Sequence, residues 1–211
     1  MIRILIADDH PIYRKGLLQI LLETPDMFEV DEAGSGEEAL AKTWNSNYDL
    51  VLMDVSMPGR GGLDALKVLK SRHPKLPVLV LSMHPEEQYA MRALRAGAAG
   101  YLNKECVWYE LVKAIKKVLE GGKYVSSALA EKLADILGSG ADAPPPQEIL
   151  SDREYHVFRM IASGKTVGAI AEELSLSVKT VSTHRVRILE KMRLKNNAEL
   201  IHYAVTNGLS G

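Results

Sequence analysis

The chain has 211 residues, 46% hydrophobic and 25% charged, a composition that can bury a sizeable core and excludes disorder of the whole. Its 26 basic and 27 acidic side chains leave a net charge of −1, so no chain-wide field marks a nucleic acid or a membrane as partner, and any basic surface must be local. One cysteine, Cys106, excludes an intramolecular disulfide. That fits a reducing cytoplasm. No run approaches the ~20 apolar residues of a membrane span, and Met-Ile-Arg-Ile reaches Asp8 too early for a signal peptide. A soluble, cytoplasmic protein without a membrane partner is expected.

In chain order, short apolar runs alternate with longer helical patterns. The predicted strands are Ile2–Ala7, Phe28–Ala33, Leu50–Met53, Val78–Leu81 and Ala99–Leu102. The cleanest helical stripe between and after them is Leu111, Val112, Ile115, Val118 and Leu119. Strands apolar on both faces, each followed by a helix, predict a doubly wound parallel sheet. Gly138 to Gln147 reads Gly-Ser-Gly-Ala-Asp-Ala-Pro-Pro-Pro-Gln, with nothing to bury, and is read as linker. The division is 1–122 for the first domain, 123–147 for a linker with a short helix and the Pro-rich segment, and 148–211 for the second domain.

Beyond the linker the strand signal stops. Ser151 with Glu154 three residues on is a capping-box signature, followed by Val157, Phe158 and Ile161 on one face. Val167, Ile170, Ala171 and Leu174 predict a short second helix, and Ser175-Leu176-Ser177 breaks the chain before a third from Val178 to about Met192. A fourth runs from about Asn197 to Thr206 and closes at Asn207-Gly208. This part is predicted all-α.

In a parallel sheet, ligands gather where strands end at their carboxyl edge. Strand one delivers Asp8 and Asp9, strand three Asp54, strand four Ser82, and strand five is followed by Asn103 and Lys104. Two carboxylates ~5 Å apart at an effective dielectric near 20 repel by roughly 3 kcal/mol, so such a rim needs a cation or raised pKa values. An oxygen-only, partly open site suits Mg²⁺. With the fixed charge of Lys104 and the hydroxyl of Ser82, the set matches what a phosphoryl group needs. A single Asp at a strand end is usually a turn or cap residue. Four strand ends with matching chemistry are not accounted for that way.

Asp8-Asp9, Asp54-Val55-Ser56-Met57-Pro58-Gly59, Ser82, Tyr101 and Lys104, in that order, resemble the receiver domain of bacterial response regulators. Leu150-Ser151-Asp152-Arg153-Glu154 through Lys179-Thr180-Val181-Ser182-Thr183-His184 resembles the LuxR-type helix-turn-helix. The whole chain therefore resembles a NarL/FixJ-type regulator of a two-component system. The resemblance implies a five-stranded, flavodoxin-like sheet of order 2-1-3-4-5, followed by a four-helix helix-turn-helix domain. It also implies that Asp54 is the phosphoacceptor, that Asp9, Asp54 and the backbone carbonyl of Ser56 hold Mg²⁺ with help from Asp8, and that Lys104 pairs with phosphoryl oxygens. Ser82 is then the hydroxyl that moves toward the phosphate, and Tyr101 the ring that swings in behind it, although an aromatic there is also ordinary core. Double-stranded DNA and a sensor histidine kinase are the implied partners, with a homodimer on DNA favoured by phosphorylation and RNA polymerase left open as a further partner.

The local basic surface lies in the second part. Between Val178 and Lys195, Lys179, Arg185, Arg187, Lys191, Arg193 and Lys195 face Glu190 alone. On a helical wheel Val181, Ile188 and Met192 form the buried stripe, with Leu189 adjacent, while Lys179, Ser182, Thr183 and Arg187 project elsewhere. Short polar residues near the helix start among basic ones suit insertion into the major groove. Ser177 and Thr180 offer hydroxyls or N–H groups to phosphate, and Lys191 adds charge further along. His184, between Val181 and Ile188, is either a half-buried interior histidine or a DNA contact. The helix before the turn departs from the pattern of the family it resembles, with Val167-Gly168 where a polar or charged pair is common, and Gly168 costs that helix up to ~1 kcal/mol against alanine.

Two other classes compete. A Mg²⁺-dependent phosphohydrolase of the haloacid dehalogenase type needs a second aspartate two positions after the nucleophile, where this chain has Ser56. A module acting through protein contacts alone leaves the basic helix unexplained. The protein is expected not to be an enzyme.

Overall fold

The run Ile2–Ala7 forms β1, and Phe28–Ala33 (β2), Leu50–Asp54 (β3), Val78–Ser82 (β4) and Gly100–Asn103 (β5) complete a parallel sheet of order β2-β1-β3-β4-β5. The computed structural model describes residues 2–24, 28–59, 61–83, 86–106, 108–127, 129–131, 134 and 146–209, with backbone only at 86–88 and 148. β3 and β4 each run one residue further than the apolar pattern predicts, so Asp54 and Ser82 are themselves the last strand residues.

Every residue of β3 and β4 is buried, which is what two covered faces require. Side chains alternate between those faces. Ile4, Ile6, Leu50, Leu52, Leu79, Leu81 and Leu102 enter one core together with Leu17 and Leu21 of α1 (Pro11–Glu23) and Leu111, Ala114, Ile115 and Val118 of α5 (Trp108–Leu119). The opposite face is covered by α2 (Gly36–Asn45), α3 (Gly62–Arg72) and α4 (Glu86–Arg95). Of the stripe predicted for α5, Leu111, Ile115 and Val118 are buried, whereas Val112 and Leu119 lie at the margin.

The chain divides into two compact units, Met1–Gly138 and Ser139–Gly211. Tyr124 still joins the first sheet: it makes a parallel bridge with Gly100, its amide donating to Ala99 O at 2.9 Å and its carbonyl accepting from Tyr101 N at 3.2 Å. Residues 127, 129–131 and 134 are helical, in the place of the short helix read into 123–147. Most of the Gly138–Gln147 segment lies outside the described residues. Its last residue, Gln147, sits in a 3₁₀ turn, Pro146–Ile149, and accepts a hydrogen bond from the Tyr203 hydroxyl.

The second unit holds four α-helices among the described residues: α6 (Asp152–Ala162), α7 (Val167–Glu173), α8 (Val178–Met192) and α9 (Asn197–Thr206). Each starts at a polar cap. Ser151 and Glu154 form the full capping box, while Thr166, Ser177 and Asn196 each accept from an amide three residues on. Val157, Phe158, Ile161, Ile170, Val181, Ile188 and Leu200 are each 2% exposed or less and make the core. Ser175, at φ 52°, turns the chain between α7 and α8.

Candidate functional site

The sheet register sets the site. Ala7 pairs with Met53, Asp54 with Leu81, and Ser82 with Asn103, so the residues after β1 and β5 reach the same rim as the ends of β3 and β4. Asp8 and Asp54 are almost fully buried, and the Lys104 ammonium lies between them, 2.5 Å from Asp8 Oδ2 and 2.7 Å from Asp54 Oδ2. Three charges so shielded interact far more strongly than the same groups in water. Burial pushes the Asp54 carboxyl up, Lys104 pulls it back, and Asp8 adds to the rise; the net direction is upward. Ser56 N–H donates to Asp54 Oδ1 at 3.2 Å. Tyr13, on α1, places its ring 4.6 Å from Lys104 Nζ, a cation–π contact the sequence pattern does not single out.

Ser82 and Tyr101 are both fully buried. Ser82 lies one residue beyond the level of Asp54, and its carbonyl accepts from Lys104 N at 2.8 Å. Tyr101 stands on β5 opposite Val80 with its ring inward. Cys106 packs against the apolar core, and burial pushes its thiol up, so it is a poor nucleophile.

The donor set fits a hard divalent cation. Asp8, Asp9, His10 and Asp54 each present one ligand atom, all within 4.8 Å of one another. Asp9 Oδ1 and Asp8 Oδ2 are shielded from solvent and, among the described residues, accept no hydrogen bond; Lys104 lies beside the latter as an ion pair outside hydrogen-bonding geometry. Carboxylate oxygens gathered this closely are what an Mg²⁺ ion would hold together.

On α8, Val181, Ile188 and Met192 are buried, and Ser177, Lys179, Thr180, Thr183 and Arg187 are exposed with Ser182 half-buried. Ser177 is the helix cap, taking Thr180 N at 3.0 Å and meeting its hydroxyl at 2.8 Å, while the Thr183 hydroxyl donates to Lys179 O. Lys191 Nζ lies 2.6 Å from Glu154 Oε2, so its charge is engaged within the unit. His184 is half-buried with Nδ1 shielded and unpartnered among the described residues. Burial, then Arg153 nearby, holds it below the ordinary imidazole range.

Two family models match: the response regulator receiver domain over residues 4–116 and the bacterial regulatory proteins, luxR family, over 148–204. Response regulator GacA of Pseudomonas viridiflava is 39% identical over 99% of this chain and 98% of its own length. The chain is a two-component response regulator. Response regulator UvrY of Escherichia coli K12 is 36% identical over 99% of this regulator and 96% of that relative. Among solved structures, RcsB of Salmonella enterica serovar Typhimurium, bound to promoter rprA in the presence of phosphomimetic BeF3⁻, has a TM-score of 0.61 and 26% identity, covering 96% of this chain and 98% of that one. ChrA, from a heme-sensing two-component system, gives 0.51 and 31%, covering 99% and 98%. The regulator thus carries a receiver domain and a LuxR-type DNA-binding domain. Among the described residues no helix is long and apolar enough to cross a membrane.

Proposed function

We propose that this regulator is a phosphorylation-dependent transcription factor, not an enzyme, with receiver 1–122, linker 123–147 and DNA-binding domain 148–211, working in the cytoplasm. Asp54 accepts the phosphoryl group of a kinase phosphohistidine: a carboxylate oxygen forms the new bond to phosphorus, the P–N bond breaks, and the imidazole leaves with its electron pair. The observation that carries this reading is the buried Asp8–Lys104–Asp54 cluster beside carboxylate oxygens without hydrogen bonds.

Asp9, Asp54 and the carbonyl of Ser56 would hold Mg²⁺, assisted by Asp8. When bound, the ion supplies positive charge to the non-bridging oxygens of the incoming phosphoryl group. Lys104 is shared between two carboxylates, so when Asp54 becomes an acyl phosphate its ammonium transfers to the phosphoryl oxygens while Asp8 keeps it oriented. Ser82 donates to the same group, and the inward ring of Tyr101 fills the space behind it. α8 enters the major groove through Lys179, Ser182, Thr183 and Arg187, with Ser177 and Thr180 near backbone phosphates. A homodimer on DNA gives the two half-sites that one small domain needs for specificity, and the RcsB structure, described as bound to a promoter, supports this use of the fold. RNA polymerase is the further partner of a promoter-bound dimer.

Incubation with acetyl phosphate and Mg²⁺ should add the mass of one phosphoryl group to the intact chain and none to Asp54→Ala. Genome-wide mapping of bound DNA should then show occupancy lost or redistributed in that variant. An unchanged mass in the wild-type protein overturns the proposal.

A further inference from the structure

His10 follows the acidic pair directly and is the residue at the cap position of α1, yet its side chain makes no capping bond to the helix. Its backbone is held instead: the amide donates to Asp8 Oδ1 at 2.8 Å, and Pro11 begins the helix at once. The ring is thereby delivered over the carboxylates, with Nδ1 at 3.2 Å from Asp8 Oδ1, 3.1 Å from Asp9 Oδ1 and 3.9 Å from Asp54 Oδ2.

The contact of Nδ1 with Asp8 Oδ1 is a hydrogen bond, and the three separations also match a coordination geometry. In an octahedral site with metal–ligand bonds of ~2.1 Å, neighbouring donors stand about 3.0 Å apart and opposite ones about 4.2 Å. Nδ1 stands at the neighbour distance from two carboxylates and near the opposite distance from the third. An all-oxygen set suits Mg²⁺, whereas an imidazole adds affinity for first-row transition ions and little for Mg²⁺.

Resting on the divalent-ion reading above, we infer that His10 is a ligand of the ion held by Asp8, Asp9 and Asp54, and that it shifts the selectivity of the site toward Mn²⁺ and Co²⁺. The ring binds through Nδ1 from the solvent side, taking a position that water fills in an all-oxygen site. The ring is more than half exposed, so its removal leaves the fold intact.

The test is calorimetric titration of the full chain with MgCl₂ and with CoCl₂ at one fixed pH, for the wild type, His10→Ala and His10→Asn. Electron spin-echo spectroscopy of bound Mn²⁺ is run alongside, and Asp9→Asn identifies heat that comes from other histidines. The Co²⁺ Kd is expected to weaken about tenfold in both His10 variants while the Mg²⁺ Kd moves less than about twofold. The ¹⁴N modulation of wild-type Mn²⁺ should vanish in His10→Ala. Mg²⁺ binding with an unchanged Co²⁺/Mg²⁺ ratio and no ¹⁴N signal overturns the role of His10 and leaves the Mg²⁺ reading standing. Equal tightening of both ions in His10→Ala also overturns it, by making the histidine a competitor. Absence of any divalent-ion binding to the wild type overturns both.

Discussion

Gly62 offers a sharp test of how backbone packing supports the phosphoacceptor. It opens α3 just beyond the loop that follows Asp54, with its N–H donating to Val55 O at 3.0 Å. A Cβ built on Gly62 would stand 1.7 Å from Asp54 O, 2.8 Å from Asp54 C and 3.1 Å from Val55 Cα. Ordinary contact begins near 3.4 Å, so either the Asp54 carbonyl or the start of the helix must retreat by about 1.7 Å in Gly62→Ala. Overpacking of this kind costs about 1–3 kcal/mol. The strained hydrogen bond adds about 1 kcal/mol. Gly61, one residue earlier, is the matched control, because its Cβ would meet Val55 O at 3.6 Å and its φ of −58° is open to alanine. Gly61→Ala should therefore stay within about 1 kcal/mol of the wild type. Both tryptophans, Trp44 and Trp108, lie in the first unit, so fluorescence-monitored urea unfolding of the intact chain reports that unit. With a slope near 2 kcal/mol/M, Gly62→Ala should lower the midpoint by about 1.5 M. Displacement of Asp54 by more than 1 Å should also slow labelling by acetyl phosphate, by as much as 10²-fold. Gly62→Ala unfolding within about 0.5 M of Gly61→Ala refutes the reasoning.

Further outcomes follow from the charges. Because burial raises the folded-state pKa of Asp54, its ionised form opposes folding above the ordinary carboxylate range, and the effect fades as pH falls and the folded protein takes up the proton. Asp54→Asn should thus be more stable than the wild type at pH 7.5, by a margin that narrows on acidification in the same fluorescence assay; a margin that widens contradicts it. Lys104→Met leaves Asp8 and Asp54 buried without their cation and should cost about 3–5 kcal/mol, part of which Asp54→Asn restores in the double variant. For Glu154, burial acts to raise the carboxyl, but the hydrogen bonds from Lys191 and Ser151 outweigh it and hold the pKa down. Its contribution is present above the ordinary carboxylate range and lost as pH falls through the depressed value. Circular dichroism unfolding should accordingly show Glu154→Gln less stable by about 1–2 kcal/mol at pH 7, by a margin that shrinks as the solution is acidified; a margin that grows contradicts it. In DNA titrations, Lys179→Ala and Arg187→Ala should each reduce the slope of log K against log salt by about 0.9, and Lys191→Ala by less, because Glu154 already neutralises it.

Features written in periodicity and caps were legible in the chain itself. The apolar runs located all five strands, and Ser151 with Glu154 marked a helix start by local chemistry that needs no tertiary context, a signal that Thr166, Ser177 and Asn196 also carry but that was read only at Ser151. The rim of Asp8, Asp54, Ser82 and Lys104 was legible because a parallel sheet turns strand ends into neighbours. What pattern does not carry is contact between residues distant in sequence. Lys191 meets Glu154 across 37 residues, and no helical wheel of α8 alone distinguishes that lysine from one left to solvent. Tyr13 over Lys104 depends likewise on how α1 lies on the sheet. The ring of His10 was the nearest miss: its place beside Asp8 and Asp9 was the available signal. Gly62 read only as a helix start, since close approach of two backbones has no signature in hydrophobicity.

The bridge between Tyr124 and Gly100 has a mechanical side. Gly100 lacks a Cβ, and one built there would stand 2.5 Å from Tyr124 O, so the departing chain lies flush against the edge strand. The Tyr124 hydroxyl is also pinned to Glu110 Oε1 at 3.0 Å, which clamps the same residue to α5. Tyr124 is therefore anchored on the strand that carries Tyr101 and leads into Lys104. Tyr124 and β5 thus share one backbone ladder, so a displacement of that strand carries Tyr124 with it.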